Sequence, residues 1–339
     1  MIARPPADPG KEMGISTAAL PLPPVVQIEP TSRCNLKCLG CAHRHRTGNP
    51  ADIPFERVKA LLDELRGHTT EIIFSGIGEP LLNPQLVGLL AYAKRSPGFH
   101  TTIASNFMLM KPQAVEELYP LVDKVICSLD AADPETFEAV RPGARFDTVR
   151  ENLEGFLDCD ARSGRKKYVS ISTLIVDRNA GEMYKIYQLI KDWGISRFHV
   201  ALCYTADEYE HQPETISRFV RDAQRIRSQR PPFLFTAIGG KYCASLDESC
   251  PADEACSIPW RYAYVSSGLY VLPCCLALQS SKSTAHEADY AVGNLEHGTF
   301  AEIWNGANYR SFREQLAARR FPPLCRPCYA VWNPGCQGA

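Results

Sequence analysis

The sequence predicts an α/β fold: a partial (β/α)6 TIM-type barrel followed by a small cysteine-rich C-terminal domain. Between Val25 and Ile238, six short apolar runs alternate with six amphipathic segments, the pattern of βαβ units around a parallel sheet. After Ile238 this alternation stops, and Pro, Gly and Cys become frequent. Of the 14 cysteines, most fall into two groups, one behind the first strand and one from Cys243 onward. Six βα units are too few to close an eight-stranded barrel, so the predicted barrel is open.

The predicted elements follow one another in regular order. The strands are Val25–Ile28, Glu71–Phe74, Thr101–Ala104, Lys124–Ser128, Tyr168–Leu174 and Phe198–Leu202. The helices are Phe55–Leu65, Pro84–Ala93, Pro112–Leu118, Thr148–Leu157, Ala180–Trp193 and Glu214–Arg225. In parallel α/β folds the chemistry lies at the carboxyl ends of the strands.

Bulk composition limits the function classes. Basic and acidic residues nearly cancel, 37 against 38, so no overall charge favours nucleic acid or an anionic membrane surface. No apolar run approaches the ~18 residues of a membrane span. The first 24 residues lack the apolar core of a secretion signal. We expect a cytoplasmic protein that binds neither nucleic acid nor membrane, with residues 1–24 forming a flexible arm.

A domain boundary is expected at Gly239–Gly240, which separates a barrel over 25–238 from a C-terminal domain over 239–339. The second region has one helix-like stretch, Phe300–Arg319, and too little periodic apolar sequence for a core of its own. Because cytosolic thiols stay reduced, its grouped cysteines indicate metal rather than disulfides. We expect a bound metal to stabilise it.

Cys34, Cys38 and Cys41 follow the first predicted strand directly. Three thiolates at this spacing in one loop can converge on a single centre. Three ligands leave the fourth iron of a four-iron cluster open to a small molecule, whereas electron-transfer clusters usually have four cysteines. The alternative is a structural zinc site with His43 or His45 as fourth ligand.

This C-x3-C-x2-C motif resembles that of the radical S-adenosylmethionine (SAM) superfamily, and motifs on later strand ends support the resemblance. Ser75–Pro80 is similar to the family's Gly-Gly-Glu-Pro element, Ser105-Asn106 stands in place of its Thr-Asn-Gly, and Ser128-Leu-Asp130 resembles its Ser-x-Asp. The resemblance implies a SAM-binding 4Fe-4S cluster on the three cysteines. It also implies cofactor contacts from Gly76, Gly78, Glu79, Ser105, Asn106 and Ser128.

Two positions depart from the family pattern. Gly40 stands where the residue before the third cysteine is usually bulky, and Ile77 replaces the first glycine of Gly-Gly-Glu-Pro. Asp130 is the candidate catalytic residue, as a base or a ligand of a substrate hydroxyl. The alternative role for Asp130 is to cap the next helix.

The C-terminal cysteines resemble those of a SPASM domain or the shorter twitch domain, in which cysteines bind auxiliary 4Fe-4S clusters. The resemblance implies one second cluster with four ligands, and such a complete set favours electron transfer or structural support. The implied ligands are Cys256, Cys274, Cys325 and Cys328, with Cys275 as an alternative to Cys274. Cys250 and Cys336 could serve a further cluster, and a four-cysteine zinc knuckle is the other metal alternative.

The resemblance implies a radical SAM oxidoreductase or lyase in which reductive cleavage of SAM yields a radical that abstracts hydrogen from a substrate. We expect a small polar substrate of the sugar, nucleoside or aminocyclitol type, from natural-product biosynthesis. The segment before the first strand is too short for a leader-peptide-binding domain, but a peptide or protein substrate is the alternative. A flavodoxin or ferredoxin would be the reductant. A non-catalytic iron–sulfur carrier is the rival class, although it has no use for an open iron.

Other polar residues have two interpretations each. The acidic run 207–210 could bind substrate hydroxyls or amines, or form a solvated loop. Asn179 and Glu182 resemble a family feature and fit a helix start equally well. The isolated cysteines are expected to be small buried apolar residues, and the alternative for Cys203 is a thiol that donates hydrogen in a radical reaction; they are Cys127, Cys159 and Cys203.

Overall fold

The structure, a computed structural model, describes residues 19–46, 49–95, 97–164, 167–203, 211–238, 256–275 and 287–325. Its strands are β1 (Val25–Ile28), β2 (Glu71–Phe74), β3 (His100–Ser105), β4 (Lys124–Ser128), β5 (Tyr168–Ile175), β6 (Arg197–Leu202), β7 (Leu234–Ile238), β8 (Tyr262–Val265), β9 (Tyr270–Leu272) and β10 (Gly293–Asn294). They form one sheet in the order β10-β9-β8-β1-β2-β3-β4-β5-β6-β7. All pairs from β8 to β7 are parallel, whereas β9 and β10 extend the β8 edge in antiparallel fashion.

Helices connect the parallel strands. They are α1 (Phe55–Leu65), α2 (Leu86–Ala93), α3 (Pro112–Leu118), α4 (Pro134–Val140), α5 (Phe146–Ser163), α6 (Met183–Ile190) and α7 (Pro213–Ser228). The C-terminal region contributes α8 (Ile258–Arg261), α9 (Phe300–Trp304) and α10 (Ala307–Ala317). No described helix is both long and apolar enough to cross a lipid bilayer.

The main core lies between the sheet and these helices. In α1 the buried residues Val58, Leu61, Leu62 and Leu65 recur at helical spacing, so one face of the helix covers the sheet. In β6, Phe198 and Val200 are fully buried in this core, whereas the alternating residues face the other side of the sheet. The mixed α/β fold with a parallel, partly closed barrel-type sheet is therefore confirmed.

Three features of the fold differ from the prediction in detail. Two further parallel strands extend the predicted six, since β7 pairs with β6 and β8 pairs with β1, and α4 intervenes between β4 and the predicted fourth helix. The stretch Phe300–Arg319 contains two helices, because the chain breaks at Asn305-Gly306 before α10. The proposed domain boundary at 239–240 lies outside the described residues.

The C-terminal region is joined to the barrel through backbone contacts. Strand β8 pairs with β1 along its whole length, from Val25 opposite Tyr262 to Ile28 opposite Val265. The last residues of the predicted arm also contact this region, since Leu20 N–H donates to Asn305 Oδ1 at 2.8 Å. The two regions therefore share one continuous sheet.

Candidate iron–sulfur and SAM site

The loop that carries Cys34, Cys38 and Cys41 is held by the chain segment that follows α4. Lys37 N–H donates to Pro142 O at 3.0 Å, and Leu39 N–H donates to Val140 O at 2.8 Å. These bonds anchor the loop backbone on both sides of Cys38. The three cysteines are thereby fixed just beyond the carboxyl end of β1.

The three thiols are half-buried neighbours. Burial is the main cause that raises the pKa of Cys34 to about 11 and that of Cys38 to about 12, and the charge of Cys41 raises both further. Burial raises the pKa of Cys41 as well. Metal binding must therefore displace protons from all three thiols.

The structure describes His43 of the zinc alternative, whereas the side chain of His45 lies outside the described residues. His43 Nε2 lies 3.1 Å from Ser32 O, so this nitrogen donates to a carbonyl. Among the described residues, no three His, Cys, Asp or Glu side chains converge as ligands of a single metal ion. A four-iron cluster instead binds each cysteine through a different iron, so its ligands stand apart.

The 75–80 loop, after β2, packs against the segment that precedes Cys34. A Cβ on Gly78 would lie 2.0 Å from Thr31 O, and a Cβ on Gly76 would lie 2.4 Å from Glu29 Cγ. Both positions therefore require glycine. Glu79 N–H donates to Arg33 O at 2.8 Å, which ties this loop to the cysteine loop.

Glu79 organises a buried polar cluster at the ends of β2 and β3. Its carboxylate accepts hydrogen bonds from Ser105 Oγ and from Asn106 N–H, both at 2.8 Å. Asn106 Nδ2 donates to Asn35 Oδ1, at 2.9 Å, beside Cys34. The predicted cofactor residues of these strand ends thus lie together next to the cysteine loop.

Asp130, the predicted catalytic residue, pairs with buried Arg141. Arg141 Nε donates to Asp130 Oδ2 at 2.6 Å, and Leu174 N–H donates to Asp130 Oδ1 at 2.8 Å. Burial alone lowers the pKa of Arg141, but the charges of Asp130 and Cys38 outweigh it, so its pKa is raised. Both carboxylate oxygens have a donor, which favours a positioning role; catalysis by Asp130 stays a prediction.

Asn179 and Glu182 do more than begin a helix. Asn179 Nδ2 donates to Asp130 O at 2.7 Å, and Glu182 accepts from the backbone N–H groups of Ala132 and Asp133 at 3.0 and 3.1 Å. These side chains fix the loop after β4 from the neighbouring βα connection. The sequence alone could not predict these contacts, because Asn179 and Glu182 lie about 50 residues from the loop that they bind. Their spacing indicated only a helix start or a family feature.

The structure describes Cys256, Cys274, Cys275 and Cys325 of the C-terminal region. Burial raises the pKa of Cys256, and the charge of Cys275 raises it further. Tyr262 lies near both Cys275 and Cys274. Cys325 follows α10, and its N–H donates to Pro322 O at 2.8 Å. Cys328, Cys250, Cys336 and the acidic run 207–210 lie outside the described residues.

The remaining predicted residues are also located. Ser128 is half-buried at the end of β4, opposite Ser172 of β5. Cys127 and Cys203 are buried, and Cys159 is half-buried against the main core. Packing therefore accounts for these three cysteines.

Known proteins resemble this chain over most of its length. A Methanosarcina barkeri protein named AdoMet-dependent heme synthase is 29% identical, over 91% of this chain and 91% of that protein. The tungsten-containing aldehyde ferredoxin oxidoreductase cofactor-modifying protein of Pyrococcus furiosus is 22% identical, over 89% and 86%. The structure of Streptococcus suis SuiB shares the fold, with a TM-score of 0.68 and 17% identity, over 91% of this chain and 71% of that chain.

Two family models match, and they cover both groups of cysteines. Residues 28–190 match the Radical SAM superfamily, and residues 256–329 match SPASM, an iron-sulfur cluster-binding domain. The first domain implies a 4Fe-4S cluster with SAM, and the second implies auxiliary iron–sulfur clusters. The chain therefore belongs to the radical SAM superfamily and is a radical SAM enzyme with a C-terminal SPASM domain.

Proposed function

We propose that this radical SAM enzyme acts on a small polar substrate of the sugar, nucleoside or aminocyclitol type, in natural-product biosynthesis. The proposal rests on a row of polar side chains across four neighbouring parallel strands. Ser128 of β4 lies opposite Ser172 of β5, which lies opposite His199 of β6, which lies opposite Thr236 of β7. Such a row can bind several hydroxyl groups of one substrate.

This polar row lies on the inner face of the barrel. Residues that alternate with it, such as Cys127 and Phe198, are fully buried against the helices. The row members are half-buried. Because side chains alternate between the two faces of a strand, the row points away from the helices and into the barrel. It begins at Ser128, next to the Asp130–Arg141 pair at the cysteine loop.

His199 can donate and accept hydrogen bonds within the polar row. Its Nδ1 lies 2.7 Å from Thr236 Oγ1. Burial lowers the pKa of His199, and the charges of Arg197 and Lys124 lower it further. The imidazole is therefore neutral near pH 7 and offers one donor and one acceptor. This suits uncharged hydroxyls better than an acidic group.

Different residues of the chain would hold the cluster, shape the SAM pocket and bind the substrate. When bound, the cluster and SAM supply the radical that abstracts a hydrogen atom. Cys34, Cys38 and Cys41 would hold the cluster. The glycines of the 75–80 loop and the buried Glu79 cluster would shape the SAM pocket, with Ser128 at its edge. The polar row would orient the substrate.

The names of the full-length relatives support a small molecule. One is named for heme synthesis and the other for modifying a cofactor. SuiB has been solved bound to the precursor peptide SuiA, which keeps a peptide substrate as the alternative. A flavodoxin or ferredoxin would supply electrons. We also propose a cytoplasmic location, because the cysteine ligands must stay reduced.

The test is substrate-dependent release of 5′-deoxyadenosine. Reduced protein would be given SAM with panels of aminocyclitols, nucleosides and sugars, and separately with peptides. We expect a polar small molecule to stimulate release, and His199→Phe to raise its KM about 5- to 150-fold, the loss of one or two buried hydrogen bonds. Tyr168→Phe, at an exposed position of β5, is the control. Stimulation by peptides alone would select the alternative, and failure to cleave SAM would select a non-catalytic carrier.

A further inference from the structure

Ile77, the residue that departs from the Gly-Gly-Glu-Pro pattern, connects the 75–80 loop to the C-terminal region. Its side chain packs against the apolar pair Tyr264 and Leu272, on β8 and β9. Cys275 packs against the same pair. A glycine at position 77 could not make this contact with Tyr264 and Leu272, because it has no side chain. The side chain therefore reaches from the proposed SAM loop to the surroundings of an auxiliary-site cysteine.

We propose that Ile77 and Glu29 are positioning residues through which the auxiliary-cluster region sets the conformation of the SAM-binding loop. Occupation of the auxiliary site then strengthens SAM binding at the first cluster. The proposal rests on the assignment of the 75–80 loop to SAM made above.

Glu29 supplies the polar half of this connection. Its side chain is fully buried at the end of β1. Ile77 N–H donates to Glu29 Oε1 at 2.9 Å, and Ser267 donates to Glu29 Oε2 from its N–H at 3.0 Å and from its hydroxyl at 2.8 Å. One carboxylate thus binds the SAM loop with one oxygen and the β8–β9 turn with the other.

Arg46 neutralises this buried carboxylate. Its Nη1 donates to Glu29 Oε1 at 3.0 Å, and its Nη2 pairs with Glu287, which follows β9 in the chain. A buried carboxylate with two backbone donors and one arginine has a well-defined orientation. The loop and the turn therefore cannot shift independently without breaking charge-assisted hydrogen bonds.

A second connection runs parallel to the first. Tyr262, beside Cys275, donates its hydroxyl to Gln27 Oε1 at 2.6 Å. Gln27 Nε2 donates to Ser75 O at 3.0 Å, at the first residue of the loop. Both ends of the 75–77 segment are thus linked, through Gln27 and Glu29, to Tyr262 and Ser267 of the C-terminal region. A cluster that orders the C-terminal cysteines would order the segment too.

The test is a thermodynamic cycle on SAM affinity. Cys256→Ala removes a proposed auxiliary ligand, and Ile77→Gly removes the apolar contact. We expect Cys256→Ala to weaken SAM binding at least 5-fold, the lower range of allosteric coupling, as measured by equilibrium dialysis under anaerobic conditions. In the Ile77→Gly background the same change should have less than about a twofold effect. Ile77→Val, which keeps most of the contact, should retain the coupling.

The outcomes are distinguishable. Equal effects of Cys256→Ala in both backgrounds, or no effect in either, would overturn the coupling. A wild-type protein with iron in both sites that binds no SAM would instead contradict the assignment of the loop. Should Cys256→Ala fail to fold, hydrogen exchange replaces it: Ser267→Ala should speed exchange of the 75–80 segment at least twofold, with β3 as internal control. Unchanged exchange would also overturn the proposal.

Discussion

The sulfur of Cys203 occupies the space in which a side chain at Gly40 would begin. A Cβ on Gly40 would lie 2.6 Å from Cys203 Sγ, and Gly40 has a φ of +74°, a conformation that favours glycine. Gly40 lies between Cys38 and Cys41. The cysteine loop can therefore approach Cys203, at the end of β6, this closely only if position 40 has no side chain. The departure from the family's bulky residue therefore has a local cause.

Gly40→Ala should accordingly lower the free energy of unfolding by about 1–3 kcal/mol, the range for overpacking a filled site. Cys203→Ala should recover part of this loss because it removes the colliding sulfur. The rest, about 1 kcal/mol, should remain because of the positive φ. Denaturant unfolding of the apo chain measures both, and iron content reports whether the loop still assembles a cluster. Equal losses with and without Cys203 would contradict the steric explanation.

Sequence patterns predicted the parallel strands well, since β1, β2 and β4 begin and end where their apolar runs do. The same patterns missed β7, because Leu234–Ile238 is short and follows Pro231-Pro232, which read as a loop. They also missed α4, although Asp133-Pro134 is a typical helix start. Its seven residues are too few to show a clear helical period.

The locations of the candidate site residues were predictable where these residues directly follow strands. The cysteine loop, Glu79 and Ser105-Asn106 all follow strands, and parallel strands bring their carboxyl ends to one edge. The partners of these residues were not predictable. Glu29 and Ser267 lie 238 residues apart, and their contact arises only because β8 pairs with β1. The pairing of Arg141 with Asp130 was also not predictable, since it depends on how α4 packs.

Glu64 of α1 connects the barrel to the C-terminal region. Its carboxylate accepts the backbone N–H of Phe300 at 2.9 Å and also that of Ala301, at the start of α9. Glu64→Ala should lower the free energy of unfolding by about 0.5–2 kcal/mol, as expected for loss of a helix cap. Limited proteolysis should become faster near α9. Glu56→Ala, on the same helix but paired with exposed Lys59, is the control and should change stability little.

Variants of the Asp130–Arg141 pair can show whether Asp130 positions other residues or acts in catalysis. Arg141→Leu should lower the free energy of unfolding by about 3–5 kcal/mol, because it leaves a buried carboxylate without its counter-charge. Asp130→Asn should reduce SAM cleavage and substrate conversion in parallel, since it disturbs the residues around the cysteine loop. A base would behave differently: Asp130→Asn would then abolish conversion while SAM cleavage and stability stay near wild type. That result would establish the catalytic role.

The auxiliary ligands can be assigned by iron content. Spacing selects Cys274, and the adjacent Cys275 is the alternative. With one cluster in each domain the wild type should hold about eight irons, four per cluster. Because the spacing selects Cys274, we expect Cys274→Ala to fall to about four irons while Cys275→Ala keeps about eight.

Cys328→Ala tests the fourth proposed ligand in the same way and should also hold about four irons. Because Cys34, Cys38 and Cys41 are untouched, the variant that loses the auxiliary cluster should still cleave some SAM. Its substrate conversion should fall sharply if the net reaction removes electrons, and persist if the reaction is redox-neutral. Circular dichroism would show whether the C-terminal region stays folded. If both Cys274→Ala and Cys328→Ala retain all their iron, the ligand set is wrong, and Cys250, Cys275 and Cys336 become the next candidates.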